Sequence, residues 1–442
     1  MSPPAADPAV PSVAAPVAPT VADAPRRPAL ADASWGATAT GVVMAIVGFA
    51  STFVIVLQGL GAVGATGAQA ATGLGVCLIA CGLSGMWLSW TRRMPLPAAW
   101  SAPGAALLIV SGESATSFEA AVGAFVVCGL LLVATGAIRP LGRLMESIPA
   151  SLANAMLAGI LLTLCLAPVR ALGEELALAA PLLLAWWAVG RLSRVAAVPV
   201  ALVVLVALVG WRLGVPAGFG EALSASLVPD FHVVAPRFDA PTLLGIALPL
   251  FVVTMASQNL PGIAVQRANG YVAPAGLQVV NTGVFSTLAA PFGSHAVNLA
   301  AITAAMAAGP DCHPDPERRW WAAFVAGACY VLIGTLAGAL VMLVSAVPPV
   351  LVEAVAGLAL LGAFTGAAVA AFREPAEREA AAITFLFSAS GLAFLGIGGA
   401  FWGLLAGVGM HAVAARQAAR RAGRAAASAD RADRSGAGPP TE

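Results

Sequence analysis

The chain of 442 residues is 60% hydrophobic and 10% charged, with a net charge of +1 and a mean hydropathy of +0.90. About a quarter of the residues in a soluble domain are charged, so this composition excludes an ordinary soluble protein and indicates a polytopic membrane protein. No basic segment is interleaved with aromatic residues, which excludes a nucleic-acid-binding protein as well.

The two ends of the chain differ from the rest in composition. Residues 1–34 are rich in proline and alanine, and residues 416–442 are rich in arginine, alanine and serine. Neither end has enough apolar residues for a packed core, so we predict two disordered tails. No short apolar segment with a cleavage site precedes the first long apolar run, and we expect the first membrane helix to direct insertion.

Apolar runs of spanning length, about 20 residues, follow in chain order on both sides of a loop at residues 215–240. Before the loop the runs cover residues 37–58, 68–90, 118–138, 147–168, 176–192 and 195–214. After the loop they cover residues 242–260, 274–290, 321–345, 350–372, 378–395 and 398–415. A shorter element broken by proline and glycine takes the third place in each half, at residues 94–112 and 291–309. The sequence therefore predicts an all-α membrane protein of fourteen transmembrane elements, of which the third and the tenth are broken.

The number of elements in each half predicts how the two halves are related. Seven crossings are an odd number, so the second half must enter the membrane from the opposite side. We therefore predict a 7+7 inverted repeat. Paired short segments interrupted by glycine or proline at matching positions are typical of the substrate site of such transporters.

The distribution of arginine predicts the orientation of the chain. There is no lysine among the 22 basic residues. With a cytoplasmic N-terminus, Arg170, Arg212 and Arg237 fall on the outer side and every other arginine falls on the inner side. Positive residues collect on the cytoplasmic side, so we predict that both termini are cytoplasmic.

The first broken element starts with an extended segment. Pro95 and Pro97 restrict their neighbours and lack backbone donors. Ser101 and Pro103 follow, and proline suits the first turn of a helix. We therefore predict a half-helix that begins near residues 102–104.

The second broken element repeats this pattern. Pro291, Gly293 and Ser294 precede a short apolar helix that ends at Gly309 and Pro310. The N-termini of the two half-helices would then meet inside the membrane, where their unpaired N–H groups favour an anion. The alternative is that both elements are ordinary kinked helices.

Polar side chains near these breaks are the candidates for a substrate site. Gln258 and Asn259 precede Pro261, where they either contact a substrate or bond freed backbone groups. His295 is either a proton relay or a hydrogen-bonded structural residue, and Asn298 lies on roughly the same face.

Four further residues have candidate roles at this site. Ser101 and Ser294 are candidate N-caps of the half-helices, and their hydroxyls could instead serve a ligand. Phe292 is a candidate contact for an aromatic ring, although it is equally an ordinary core residue. For proton coupling His295 ranks first and Glu353 second, and solvation at the outer interface is the alternative role of Glu353.

Other chemistries lack their motifs. The six cysteines lie mostly within apolar runs, without zinc spacing, so we predict packed free thiols and neither a metal site nor a cofactor. No P-loop is present, and no nucleophile and base pair occurs at membrane depth. We therefore expect neither ATP-driven transport nor an enzyme.

Three segments resemble the BenE family of benzoate:proton symporters. They are ASQNLPGIAVQRANGY at 256–271, APFGSHAVNLAAITAA at 290–305 and GPDCHPDPERRWWAA at 309–323. The resemblance extends over essentially the whole membrane part. It implies the fold of uracil and anion transporters, in which a core domain and a gate domain move against each other.

The resemblance also implies a division of the chain. The core domain would consist of residues 35–138 and 241–345, and the gate domain of residues 139–214 and 346–415, with a periplasmic loop at 215–240.

This sequence departs from the related nucleobase carriers in one respect. Those carriers have acidic residues on the eighth element, where this chain has Gln258 and Asn259. Neutral side chains suit an anionic ligand, but the departure also removes the obvious proton carrier.

The sequence therefore predicts a secondary active transporter that imports benzoate, or a similar aromatic carboxylate, with a proton across the bacterial inner membrane. The predicted substrate-binding residues are Ser101, Gly104, Gln258, Asn259, Phe292, Ser294, His295 and Asn298. The expected partners are the small-molecule carboxylate, the proton and the lipid bilayer, and the choice between a monomer and a homodimer stays open. A carrier of another organic anion or of a nucleobase-like substrate, and an anion channel, are the alternatives.

Overall fold

A computed structural model describes residues 32–140, 142, 149–193, 196–213, 219–345, 347–394, 397–414 and 416–417. The two predicted tails lie outside these ranges, apart from residues 32–34 and 416–417. Residues 32–34 pack on the membrane part, because Asp32 is 7% exposed and accepts a hydrogen bond from the Trp320 indole at 3.0 Å.

Helices make up most of the described chain, since apolar runs at membrane depth must satisfy their backbone groups internally. The first half contains α1 (Trp35–Ala62), α2 (Gly67–Arg92), β1 (Ala98–Trp100), α3 (Ala102–Val110), α4 (Phe118–Ala137), α5 (Ala150–Cys165), α6 (Ala167–Glu174), α7 (Leu176–Leu192) and α8 (Ala197–Leu213). The predicted loop contains α9 (Phe219–Ser226). The second half contains α10 (Ala240–Ala268), α11 (Ala275–Ala289), β2 (Val297–Leu299), α12 (Ile302–Ala308), α13 (Trp320–Thr335), α14 (Ala337–Ser345), α15 (Pro349–Ala371), α16 (Arg378–Ala389), the hairpin β3 (Ala393–Phe394) and β4 (Ile397–Gly398), and α17 (Gly399–Ala414).

Within the described ranges, six helical segments are long and apolar enough to cross a bilayer. They are α1, α2, α4, the continuous segment of α5 and α6, α10 and α15. The fourteen-element count and the inverted repeat stay predictions.

Helix starts follow the capping residues in the sequence. Ser117 caps α4 by accepting a hydrogen bond from the Ala120 N–H at 3.2 Å, and Asp239 caps α10 by accepting from the Thr242 N–H at 3.0 Å. Such caps satisfy N–H groups that have no partner inside the helix. Burial raises the pKa of the Asp239 carboxyl, but hydrogen bonds from Thr242 and Thr116 outweigh this effect and the pKa lies below its ordinary value.

Glycines let the long helices approach each other closely, as small residues do in membranes. A Cβ added at Gly82 of α2 would clash with the carbonyl oxygen of Gly327 on α13. A Cβ added at Gly283 of α11 would lie 2.6 Å from the backbone nitrogen of Val133 on α4. Since α2 also contacts β1 and α11 also contacts β2, these helix pairs hold the broken elements.

The two broken elements meet as antiparallel strands. The register of β1 and β2 pairs Ala98 with Leu299, Ala99 with Asn298 and Trp100 with Val297. The half-helix α3 starts at Ala102, as predicted. Each broken element is therefore a strand followed by a short helix, and not an ordinary kinked helix.

The predicted start of the second half-helix is wrong. Gly293, at φ +84°, ends a 3₁₀ turn, and the chain then runs extended because the main-chain groups of β2 pair with β1. As a result, α12 starts at Ile302 and has only seven residues. Ser294 lies before the strand and caps no helix, which corrects its predicted capping role.

Candidate substrate site between the broken elements and the facing helices

A cavity of about 820 Å³ lies between the broken elements and helices α5 and α15. One wall consists of Pro103 of α3, Ala301 before α12 and residues 252–264 of α10. The facing wall consists of Pro149, Ala150, Ala153, Asn154, Leu157, Ala363, Ala367, Glu377 and His411. This volume and this mixture of apolar residues with a few polar groups are typical of a small-molecule site.

Part of the cavity wall is close in the chain to Arg267, Arg373 and Arg378, and we call this part the arginine-rich end of the cavity. Ala264 on its wall lies one turn before Arg267. Glu377, also on its wall, lies between Arg373 and Arg378 in the chain.

Gln258 lines the cavity at a point where α10 changes from an α-helical to a π-helical hydrogen-bond pattern. Residues Met255–Asn259 form a π turn, in which the Leu260 N–H donates to the Met255 carbonyl five residues earlier. This turn directly precedes Pro261, which has no N–H to continue the regular pattern. Gln258 is half-buried and lines the cavity with a neutral amide, whereas Asn259 is fully buried behind the wall.

Asn259 and Asn298 hold the second strand in place. The Oδ1 atom of Asn259 accepts a hydrogen bond from the Leu299 N–H at 2.9 Å. The hydrogen-bond network orients the Asn298 amide so that its oxygen accepts from the Ser101 N–H and its nitrogen donates to the Leu299 carbonyl, both at 3.0 Å. Both amides therefore satisfy main-chain groups of the broken elements.

Ser101 connects the start of α3 to the second broken element. Its Oγ accepts hydrogen bonds from the Gly104 N–H and from the Thr254 hydroxyl, each at 3.0 Å, which confirms the predicted cap. The Ser101 carbonyl oxygen lies 3.0 Å from Nε2 of His295, so Nε2 carries a hydrogen and donates it. Gly104 is enclosed, because an added Cβ would lie 2.5 Å from Cδ1 of Leu250.

His295 and Ser294 keep polar atoms without partners in the interior. Both side chains are fully buried. Within the described part of the chain, neither Nδ1 of His295 nor Oγ of Ser294 has a hydrogen-bond partner of good geometry, and the buried Cys77 thiol lies near both side chains. An unpartnered buried polar atom is costly, so a water molecule could bind at either atom and a proton could bind at Nδ1.

The facing wall presents three polar side chains to the cavity. Nδ2 of Asn154 donates to the Ala150 carbonyl within α5 at 2.7 Å. Oε2 of Glu377 accepts from the Ser151 hydroxyl at 2.5 Å. Oε1 of Glu377 lies 3.4 Å from Nδ1 of His411.

The structure does not bring Phe292 and Glu353 to this cavity. Phe292 belongs to the 3₁₀ turn at residues 290–292, where the Pro291 carbonyl accepts from the Val234 N–H of the long loop at 2.7 Å. Glu353 is exposed near the start of α15. Of the predicted substrate residues, Gln258 lines the cavity. Ser101, Gly104 and Asn259 are chain neighbours of the wall residues Pro103 and Gln258. His295 and Asn298 reach the wall only through their hydrogen bonds to Ser101, and Ser294 does not line the cavity.

Comparison with known proteins identifies the family to which this arrangement belongs. The family described as "BenE: Benzoate membrane transport protein" matches residues 31–413. The chain belongs to the BenE family. It is therefore a membrane transport protein and not an enzyme.

Two relatives show how far the similarity to BenE proteins extends. The chain is 40% identical over 371 residues to "Inner membrane protein YdcO" of Escherichia coli (strain K12), covering 83% of this chain and 93% of that protein. It is 32% identical over 382 residues to "Benzoate membrane transport protein" of Acinetobacter baylyi (strain ATCC 33305 / BD413 / ADP1), covering 85% of this chain and 94% of that protein.

The fold of this BenE protein is similar to that of two solved transporters. The transmembrane domain of the cyanobacterial bicarbonate transporter BicA matches with a TM-score of 0.52 at 15% identity, covering 84% of this chain and 97% of that chain. SLC26A9 matches with a TM-score of 0.56 at 12% identity, covering 85% of this chain and 65% of that chain. These likenesses show the fold, a mostly helical membrane transporter.

Sequence reasoning missed the polar groups of the facing wall. Asn154 has a detectable signal, because it interrupts an apolar run at membrane depth. Glu377 has none, because it lies in a charged turn between Glu374 and Glu379 and only the tertiary structure selects it. His411 lies near the end of the last helix, and only the tertiary structure places it on the cavity wall.

Proposed function

We propose that this protein imports benzoate, or a similar aromatic carboxylate, together with a proton across the bacterial inner membrane by alternating access. The observation that carries the proposal is the cavity itself. It joins the strand-to-helix junctions of both broken elements to a mostly apolar facing wall. The relative from Acinetobacter baylyi, whose name states benzoate transport, supports the choice of substrate.

The broken-element wall has the electrostatics that a carboxylate requires. Pro103 brings the N-terminal end of α3 to the cavity, and a helix N-terminus carries about half a positive charge. The neighbouring Gln258 is neutral and offers N–H donors without a negative charge. No carboxylate of the described chain lies on this wall to repel an anion.

The facing wall suits an aromatic ring. Leu157 of α5 and Ala363 and Ala367 of α15 present apolar surface across the cavity. A ring between these side chains removes apolar area from water, which contributes about 25 cal/mol per Å². Small alanine side chains leave the necessary width.

His295 is our candidate for the proton carrier. Its Nε2–H donates a hydrogen bond to the Ser101 carbonyl, while its Nδ1 has no hydrogen-bond partner of good geometry among the described residues. Protonation at Nδ1 would place a positive charge behind the α3 N-terminus, and a bound carboxylate would favour that charge. Substrate and proton would therefore each strengthen the binding of the other. Glu353 ranks second, because its exposed position away from the cavity offers no such coupling.

Transport in this account is a movement of two domains. We propose fourteen elements in a 7+7 inverted repeat with both termini cytoplasmic. Residues 35–138 and 241–345 form the core that carries the broken elements, and residues 139–214 and 346–415 form the gate. The cavity then lies at the interface of core and gate, open to the cytoplasmic side.

Proton coupling gives the cycle its direction. An anion entering a cell alone moves against the inside-negative potential, at a cost of about 2.3 kcal/mol for each 100 mV. One proton for each carboxylate makes the step electroneutral, so the pH gradient can drive accumulation.

The test is uptake of labelled benzoate into proteoliposomes with and without an imposed inward proton gradient. We expect saturable uptake that exceeds equilibrium only with the gradient and is abolished by a protonophore. Bicarbonate and uracil as competitors test the alternative substrates. Linear, non-concentrative flux would identify a channel instead, and inhibition by uracil without benzoate uptake would identify a nucleobase carrier.

A further inference from the structure

Three side chains from three separate elements form a polar cluster at the facing wall, and two of them, Glu377 and His411, line the cavity. Glu377 lies at the end of the turn at residues 375–377. One of its carboxylate oxygens accepts a hydrogen bond from the Ser151 hydroxyl of α5. His411 of α17 lies 3.4 Å from the other oxygen. The side chains of Glu377 and His411 are 23% and 35% exposed, so both contact the cavity space without being fully solvated.

Among the described residues of the cavity wall, Glu377 and His411 are the ionisable ones. Every other described residue of the wall is apolar or a neutral polar residue. The charged neighbours in the same turn and at the start of α16 are exposed and lie off the wall: Arg373, Glu374, Arg378 and Glu379. The guanidinium of Arg378 bonds the main chain, because its Nε donates a hydrogen bond to the Phe372 carbonyl at 2.9 Å.

The pair shares one cavity with the broken elements. Glu377 lies in the chain between Arg373 and Arg378 and marks the arginine-rich end of the cavity. Pro103 and Ala301, at the broken elements, line the same cavity. A carboxylate in this cavity is therefore exposed to the charge of the pair.

The charge of the pair depends on one proton. With a neutral imidazole the pair carries the single negative charge of Glu377, which repels a carboxylate. With an imidazolium the two charges cancel and the repulsion disappears. Histidine is the side chain whose charge ordinarily changes between pH 5 and 8.

We propose that Glu377 and His411 form a pH-dependent electrostatic gate that sets the affinity of the open cavity for its carboxylate substrate. The gate rests on the proposed function, since it acts on a carboxylate that enters this cavity. A neutral or alkaline solution at this end favours release, because the pair is then negative. An acidic solution neutralises the pair and lets the carboxylate return.

The charge model predicts opposite effects for the two residues. Glu377→Gln removes the repulsion, so benzoate should bind more tightly than to the parent at pH 8, and only the pH dependence that His295 contributes should remain. His411→Gln leaves Glu377 without a positive partner, so benzoate should bind more weakly than to the parent at pH 6. His411→Arg keeps a permanent positive charge beside Glu377, so benzoate should bind more tightly than to the parent at pH 8. For a unit charge several ångströms from the substrate in a water-containing cavity, each effect should be about threefold to tenfold in Kd.

The experiment is equilibrium binding of labelled benzoate to the purified protein in detergent at pH 6 and pH 8, where benzoate itself stays ionised. Glu374→Gln is the matched control, because Glu374 lies in the same turn but off the cavity wall. Thermal unfolding shows whether each variant is folded. If either His411→Gln or His411→Arg folds poorly, the other still tests the effect of charge at position 411. Any contribution of His295 remains in all variants.

Opposite shifts for Glu377→Gln and His411→Gln, with Glu374→Gln at the parent's values, are the expected result. Equal weakening by both Gln variants would reveal a structural contact and overturn the gate. An unchanged pH dependence in both variants would overturn it as well. A parent protein that binds no benzoate at either pH would overturn the proposed function and the gate together.

Discussion

Gln258 is the side chain whose charge matters most for the proposed substrate. It lines the cavity on the same wall as Pro103, where α10 forms a π turn. Gln258→Glu places a negative charge beside the carboxylate, and in a partly dry site this repulsion exceeds about 1.4 kcal/mol, a tenfold loss of affinity. Benzoate binding between pH 6 and pH 8 measures this loss.

The control for this prediction is Gln258→Met, which keeps the length of the side chain and adds no charge. We expect it to weaken binding less than Gln258→Glu. Parent-like binding by Gln258→Glu would mean that this side chain does not face the substrate.

His295 supplies the second prediction at the scale of residues. His295→Gln can still donate a hydrogen bond to the Ser101 carbonyl, but it cannot titrate. We therefore expect the variant to bind and exchange benzoate while it loses accumulation driven by a pH gradient. Counterflow and gradient-driven uptake in proteoliposomes separate these two activities.

His232→Gln is the matched control, because His232 lies in the long loop with its side chain 45% exposed. It should transport as the parent does. If His295→Gln concentrates benzoate with the pH dependence of the parent, the proton travels elsewhere and Glu353 becomes the next residue to test.

Individual residues show what the sequence can and cannot predict about the site. Local chemistry predicted the Ser101 cap, because the hydroxyl acts on a backbone N–H three residues later. The role of Asn259 was left open between two alternatives, because its partner Leu299 is forty positions away in the chain. His411 and Glu377 were missed, because only the folded chain brings α17 beside the turn at residues 375–377.

Elements show the same limit at a larger scale. The prolines and the serine of the first broken element predicted a half-helix, and α3 starts where expected. The second element was assigned a helix start seven residues too early, since the pairing of β2 with β1 is a long-range interaction that local patterns do not reveal. Apolar runs, by contrast, predicted the long helices well because spanning length is a local property.

Two serine caps offer a test at the scale of elements. Ser101 caps α3 beside the cavity, and Ser117 caps α4 away from the cavity wall. Ser117→Ala should cost about 1 kcal/mol of stability, because it leaves a backbone N–H without its cap. Ser101→Ala should cost more, because it also leaves the buried Thr254 hydroxyl without its acceptor. Thermal unfolding measures this loss.

Only Ser101→Ala should also weaken benzoate binding, by several fold, since α3 presents its N-terminal end to the substrate. Ser117→Ala is the control for a general loss of stability. Equal benzoate affinities in the two variants would show that the α3 cap does not contribute to benzoate binding.

At the scale of the whole molecule, the cavity lies between two packed units. On one side, β1 and β2 contact α2 and α11, and these two helices pack against α13 and α4. On the other side, α5 packs against α15 and α16. A relative displacement of these units would close the arginine-rich end of the cavity without breaking the packing inside either unit, which is how we expect access to alternate.

The central claim is that the cavity between the broken elements and the facing helices holds the carboxylate. The most direct measurement is a structure of the protein with 4-iodobenzoate, in which anomalous scattering locates the iodine. We expect the iodine inside the cavity, with the carboxylate toward Pro103 and Gln258 and the ring toward Leu157 and Ala363. Iodobenzoate bound outside this cavity, at a concentration that competes with transported benzoate, would contradict the account.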